Sequence, residues 1–213
     1  MTDRLYKWLL PDMTTAVQGE TWPVAVGEWT PKETPILCAS GWHGMREKDV
    51  LAHLPSTLGA QLWVVEVKGK IVHGDDKFAA SQMRLIECIG TTDESNLRLF
   101  ACDVAEDALD IFEDEYPNDT RPRNAIEVSR RFANGDATRR ELTAAGDAAR
   151  AAARDAAGDA AWAAAGDAAW AAARDAAWAA AGDAARDAAW AAAGDAAWAR
   201  YSNWLVVRIE SGY

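Results

Sequence analysis

Short apolar runs alternate with polar positions through residues 1–90, in the pattern that β-strands give. Strands are predicted over residues 5–10, 36–38, 62–67 and 83–89. A short helix is predicted over residues 45–54, because Pro55 disfavours helical backbone in the residue before it. Gly74-Asp-Asp76 has the composition of a turn. Together these elements predict a small mixed α/β domain.

The apolar spacing then changes to three and four residues, which predicts a helix over residues 93–112. Thr91 and Glu94 have the spacing of a capping box at its start. Residues 96–119 contain eight acidic side chains and a single base, Arg98, whereas the segment that follows is rich in arginine. We interpret the two segments as helices that pair their charges with each other. An acidic patch for a basic partner is the alternative.

A second helix is predicted to begin near Pro122, which suits a first helical turn, and to end at Asn134-Gly135. Thr138 and Glu141 form another capping-box pattern, and this one leads into an Ala-rich region. The chain closes with the apolar residues 204–209, which we expect to pack on the core.

Thirteen consecutive four-residue units fill residues 146–197, and each reads Gly, Arg or Trp, then Asp or Ala, then Ala-Ala. The alanine content predicts helix. Because each unit advances about 40° around a helix, tryptophans at this spacing point to several sides. We expect most of them to be buried, within the chain or in a homo-oligomer. They are Trp162, Trp170, Trp178, Trp190 and Trp198.

Gly-Asp pairs begin at residues 146, 158, 166, 182 and 194. Gly suits the left-handed position after a helix, and Asp suits the N-cap of the next helix. The repeat region is therefore predicted to be mainly helical, either as one long helix or as a broken helix that folds back into a hairpin.

The composition narrows the classes of function. A formal net charge of −11 argues against nucleic-acid binding. No apolar stretch is long enough to span a membrane, and the N-terminal residues lack the pattern of a signal peptide. Three widely spaced cysteines without a CxxC pattern indicate reduced thiols and a cytoplasmic location. Three histidines without helical spacing predict no metal site, and we expect no cofactor.

Residues 112–127 combine Phe-Glu-Asp-Glu-Tyr-Pro with Asp-Thr-Arg-Pro-Arg and Ala-Ile-Glu, and Phe-Ala-Asn-Gly follows at 132–135. Together with the segment that begins at Arg98, this run resembles the immunity-protein family of polymorphic toxin systems, over roughly residues 97–160. The resemblance implies an all-helical, Ala-rich segment that neutralises a toxin by binding it. It implies no catalytic residues.

A second resemblance concerns residues 1–90. Leu-Cys-Ala-Ser-Gly-Trp-His at 37–43, the strand at 62–69, Asp-Asp-Lys at 75–77 and Arg-Leu-Ile-Glu at 84–87 look like an uncharacterised domain that is common in phage and prophage proteins. That domain carries no established function, so the resemblance implies an origin and not an activity.

These observations predict an α+β chain with four segments. Residues 1–90 form the mixed domain, residues 91–145 the immunity-like helices, residues 146–200 the Ala-rich repeat, and residues 201–213 a C-terminal docking segment. The preferred function is that of a noncatalytic phage or bacterial protein of immunity or anti-defence type. It would occlude a partner protein, either a toxin or a host defence component, without nucleic acid or membrane.

Two alternatives remain open from the residues. One is a nucleotide-binding enzyme similar to the ADP-ribosyltransferases, in which His43 contacts the nucleotide and Glu66 or Asp75 stabilises a cationic sugar. The other is a structural homo-oligomer that assembles through the Ala–Trp helices. NAD binding would identify the first, and a homomeric mass independent of any host protein would identify the second.

Overall fold

The structure is a computed structural model that describes residues 4–156, 166 and 195–212. The strands are β1 Leu5–Leu9, β2 Trp42–Arg46, β3 Gln61–His73 and β4 Phe78–Thr91. Two 3-10 turns, Glu47–Asp49 and Leu51–His53, follow β2. The α-helices are α1 Glu94–Glu115, α2 Arg121–Ala133, α3 Arg139–Asp155 and α4 Asp195–Ser211. The predicted α+β class is confirmed.

The described residues fall into two compact units. The strand unit takes the chain up to Thr92 together with the C-terminal stretch Trp198–Gly212. The helical unit begins at Asp93 and contains α1, α2 and α3. The C-terminal helix α4 therefore lies mainly with the strands, although a long stretch of sequence separates it from them.

The four strands of the strand unit close into a small antiparallel barrel. β1 pairs with β2 and with β3, and β4 also pairs with both, so the order around the barrel is β1-β2-β4-β3. β3 and β4 form a long hairpin whose turn lies between His73 and Phe78. The core inside is a cluster of apolar side chains: Leu9, Trp22, Trp63, Val65, Phe78, Ala80, Met83 and Leu85.

A bulge interrupts the hairpin pairing between Lys68 and Ile71. It falls at Gly69, whose backbone φ of +84° is one that residues with a side chain rarely adopt. A Cβ at this position would also lie 2.9 Å from the Cβ of Ser81, so there is no space for a side chain. Bulges of this kind bend a strand and increase its twist, which suits a strand that must curve around a barrel.

Helix α4 packs on the strand unit through one apolar face. Tyr201, Leu205, Val206 and Ile209 are all buried. The hydroxyl of Ser202, also buried, accepts a 3.3 Å hydrogen bond from the Leu51 backbone N–H. The apolar residues 204–209 of the sequence therefore form part of an amphipathic helix, and they cover the barrel and its 3-10 turns.

The helical unit packs α2 against both α1 and α3. Small residues dominate the contact, since alanines from all three helices sit among a few larger apolar side chains. The cluster comprises Cys102, Ala105, Leu109, Ala125, Ile126, Val128, Leu142, Ala145 and Ala149. Alanine lets helices approach closely, which explains how an Ala-rich sequence builds a packed core.

The first units of the repeat belong to α3. Ala149, Ala152 and Ala153 are buried, whereas Arg150 and Arg154 are exposed, so the helix has an apolar face made almost entirely of alanine. The helix continues through Gly146-Asp147 without a break, and it ends at Asp155 because Ala156 has extended backbone (ψ 129°). One uninterrupted helix through residues 146–197 is therefore excluded.

Two local predictions in the strand unit are wrong. Residues 36–38 form a turn instead of a strand, because Ile36 bridges Ser40 and Cys38 has a φ of +60°. Residues 45–54 do not form an α-helix: Met45 and Arg46 belong to β2, and the two 3-10 turns take residues 47–49 and 51–53. The strand β2 was not predicted, since its sequence Trp-His-Gly-Met-Arg does not alternate cleanly.

The predicted caps have mixed outcomes. The capping box at Thr138 and Glu141 is confirmed at the start of α3. The box predicted at Thr91 and Glu94 is wrong, because Thr91 still pairs with Gln61 as the last residue of β4. The N-cap of helix α1 instead lies two residues later, in a capping box formed by Asp93 and Asn96.

Candidate functional site

Arginines of α2 pair with carboxylates of α1. A guanidinium nitrogen of Arg130 lies 3.0 Å from Asp103 Oδ1 and 2.6 Å from Glu106 Oε2, and Arg123 lies 2.6 Å from Glu113. The hydrogen bond from Arg130 lowers the pKa of the Glu106 carboxyl, and the one from Arg123 lowers that of Glu113. The interpretation that the acidic and basic segments pair their charges is confirmed.

The same helix has a second row of acids that turns away from this contact. Asp107, Asp110 and Asp114 are exposed at helical spacing, and Ile111 lies among them with 44% of its surface exposed. Within the part of the chain that the structure describes, no ion pair involves Asp110 or Asp114. We call these four residues the acidic α1 face. An exposed aliphatic side chain with carboxylates around it is complementary to a basic protein surface.

A different kind of site lies in the strand unit. A cavity of about 220 Å³ is lined by side chains from β1, β2 and the loop between them, and by His53 and Lys77. The ammonium of Lys7 donates a 2.9 Å hydrogen bond to the carbonyl of His43, and only 8% of the residue is exposed. Burial lowers the pKa of Lys7 to about 8.

The cavity surroundings favour a neutral His43. Its Nε2 accepts a 3.1 Å hydrogen bond from the backbone N–H of Cys38. Burial lowers the pKa of the imidazole, and the nearby charges of Lys7 and Lys77 act in the same direction. His53 lies at another part of the lining, where its Nε2 is 3.1 Å from Asp76 Oδ2.

The structure does not gather the residues of the predicted enzyme site. His43 lines the cavity, but neither Glu66 nor Asp75 is part of that lining. Glu66 lies exposed on β3, where it accepts hydrogen bonds from Arg84 on β4. Asp75 lies in the turn between β3 and β4, and its main-chain carbonyl accepts a hydrogen bond from Arg46.

The tryptophans of the repeat are mostly beyond the described residues. Trp162, Trp170, Trp178 and Trp190 lie outside them, so their predicted burial stays a prediction. Trp198 lies near the start of α4 and is half-buried.

Sequence reasoning missed Lys7 as a site residue. The signal was present, because Lys7 is the one charged residue in the apolar run Leu-Tyr-Lys-Trp-Leu-Leu at residues 5–10.

In the part of the chain that the structure describes, every helix is too short or too polar to cross a membrane. The described residues also contain no group of three or more His, Cys, Asp or Glu side chains that could hold a metal ion.

The helical unit presents an exposed, acidic helix face. A comparison with protein families finds a match over this unit: the model for an "Imm-5 like putative immunity protein" matches residues 87–193, half of the chain. The chain belongs to this family of immunity proteins. No curated protein and no solved structure matches it.

The family match has a clear position in the fold. It begins within β4 and takes in α1, α2 and α3, so the helical unit carries the resemblance that the sequence indicated. The strands β1, β2 and β3, with the Lys7 cavity, lie before it. A phage or prophage origin for residues 1–90 stays a prediction.

Proposed function

We propose that this chain is a noncatalytic protein of immunity or anti-defence type that binds a toxin or defence protein and occludes its working surface. The acidic α1 face is the proposed contact. The observation that carries the proposal is the division of the α1 acids into two rows. One row is neutralised by α2, and the other faces outward around Ile111.

The acids of α1 that pair with α2 hold the helix in place. The exposed acids of the acidic α1 face therefore lie on a rigid helix. Arg130 and Arg123 tie α1 to α2 at two positions, and the buried residues Leu109 and Phe112 fix the rotation of α1 about its axis. A helix held in this way presents the backbone positions of Asp110 and Asp114 in one arrangement before any partner arrives. Binding then costs little backbone entropy.

The partner is defined by the chemistry of the face. We propose a basic surface, with lysine or arginine side chains that meet Asp110 and Asp114 and a shallow apolar depression that receives Ile111. Such complementarity speeds association and selects the partner, and a central aliphatic anchor slows dissociation. A toxin that acts on nucleic acid has a surface of this kind, because it must bind phosphate.

The test is affinity capture from host lysate with the full chain, followed by light scattering of the pure protein. The double change Asp110→Lys with Asp114→Lys reverses the charge of the face. Glu28→Lys with Glu33→Lys is the matched control, since both glutamates are exposed in the strand unit and the net charge changes equally. We expect the first variant to weaken binding of the captured protein about tenfold or more, and the control to bind as the wild type does.

Two results would contradict the proposal. Equal binding by both variants would remove the acidic α1 face from the contact. A mass in solution that is a multiple of the monomer, with no captured partner, would favour the structural homo-oligomer instead. An Ile111→Asp variant sharpens the first outcome, because it removes the apolar anchor without adding positive charge.

A further inference from the structure

We propose that the cavity in the strand unit binds a small organic anion, a carboxylate or a phosphate ester, with its negative group held by Lys7. The site lies outside residues 87–193, and the proposal does not depend on the immunity-type function. The observation that carries it is a buried ammonium, neutralised by no carboxylate of the described residues, beside a space large enough for a small molecule.

The charges around the cavity are one-sided. Among the described residues, its lining contains Lys7, Lys77, a neutral His43 and His53, and it contains no aspartate or glutamate. This is unexpected in a chain whose net charge is −11. Among the described residues no ion pair includes Lys7, although Lys77 and His53 share Asp76 at the edge of the site. Among the described residues of the lining, Lys7 is therefore the cation that no carboxylate offsets.

The burial of Lys7 is costly in the absence of an anion. An isolated ammonium loses the hydration that it has in water, and one hydrogen bond to the His43 carbonyl replaces only part of it. The side chain also packs near the Trp22 ring, with its nitrogen 5.8 Å from the ring centroid. An oxyanion in the cavity would supply the missing charge and accept the two remaining N–H bonds.

The rest of the lining indicates the shape of the ligand. Trp8 and Met45 give apolar walls, while Thr15 and Gln18 add neutral polar groups. A few polar groups in a mainly apolar cleft are typical of small-molecule sites. The lining residues 16–18 are exposed, so this side of the cavity faces solvent. The ligand therefore combines one negative group with a compact apolar body.

The test is titration calorimetry of the full chain with four probes: inorganic phosphate, phenyl phosphate, acetate and benzoate, with sodium chloride to match ionic strength. We expect at least one probe to bind at millimolar concentration or lower. Preference between the phosphates and the carboxylates identifies the charged group. Tighter binding of the aromatic member of either pair supports the apolar walls.

The variant Lys7→Met keeps the length of the side chain and removes the charge. We expect it to weaken binding of the preferred probe about tenfold or more, as loss of a charge-assisted hydrogen bond does. Lys32→Met is the matched control, since Lys32 is exposed in the same unit and outside the cavity, and it should bind as the wild type does. Lys77→Met, at the edge of the site, should weaken binding less and does not disturb the core.

A measurement on the wild-type protein does not depend on whether the variants fold. The ¹³Cε resonance of Lys7 reports the protonation of its ammonium, and burial lowers its pKa to about 8. An anion beside it stabilises the charged form, so the titration should move to higher pH when the preferred probe is added. The proposal is overturned if no probe binds, if Lys7→Met binds as tightly as Lys32→Met, or if the Lys7 titration does not move.

Discussion

In the helical unit, the basic side chains at the α1–α2 contact find acidic partners, as Arg130 does with Asp103 and Glu106. In the strand unit, Lys7 is buried more deeply and has a carbonyl as its acceptor instead of a carboxylate. Two kinds of charge must therefore be distinguished in this protein. Charges paired across helices hold the fold. Asp110 and Asp114 on the acidic α1 face and Lys7 in the cavity have no ion-pair partner among the described residues, so they are available to other molecules.

The two units also differ in how they build a core. The barrel uses large side chains such as Trp22, Phe78 and Met83, whereas the helices meet through alanine. Truncating a large buried side chain leaves a cavity, and enlarging a small one overpacks the core. Large-to-small changes should therefore destabilise the strand unit, and small-to-large changes should destabilise the helical unit.

The largest effect is expected from Leu205→Ala in α4. Leu205 is fully buried in the strand unit, so the change should lower the free energy of unfolding by about 2–5 kcal/mol through lost burial and a cavity. Val207→Ala in the same helix is the control, since Val207 is 53% exposed and should cost far less. Urea unfolding of the full chain measures both. Equal losses would mean that α4 does not pack on the strand unit through Leu205.

The next largest effect concerns the alanine contact. Ala149 is fully buried in α3, and Ala149→Leu should cost about 1–3 kcal/mol by overpacking. Ala144→Leu makes the same change at an exposed position of the same helix and should be nearly neutral. Thermal unfolding of the two variants separates a packing effect from helix propensity. A tolerated Ala149→Leu would contradict the close approach of the helices.

A smaller effect, in pH, isolates Lys7. Its pKa is about 8 in the folded protein and higher when unfolded, so between these values the unfolded chain binds one more proton. The wild-type stability should therefore rise, relative to Lys7→Met, by about 1 kcal/mol for each pH unit from pH 8 to 10. Urea titrations at several pH values, without added anions, measure the difference. A flat difference would mean that Lys7 titrates normally.

The sequence predicted features that depend on neighbours along the chain. The capping box at Thr138 and Glu141 and the opposite charges of α1 and α2 are local patterns, and both were found. Strand β2 and the turn at Cys38 were not predicted, because pairing with β1 and β4 determines them. The cavity could not be predicted from the sequence either, since β1, β2 and distant turns come together only in the folded barrel.

The central distinction, between charges that hold the fold and charges kept for another molecule, is tested most directly by two parallel substitutions. Arg130→Met and Lys7→Met each replace one cationic side chain with methionine, and urea unfolding at pH 7 in a buffer without phosphate or carboxylate measures both. We predict that Arg130→Met lowers the free energy of unfolding by about 1–3 kcal/mol, because Asp103 and Glu106 each lose the ion pair with Arg130. Lys7→Met should leave it unchanged or raise it, since a costly buried charge is removed. A loss in Lys7→Met as large as that in Arg130→Met would contradict the distinction.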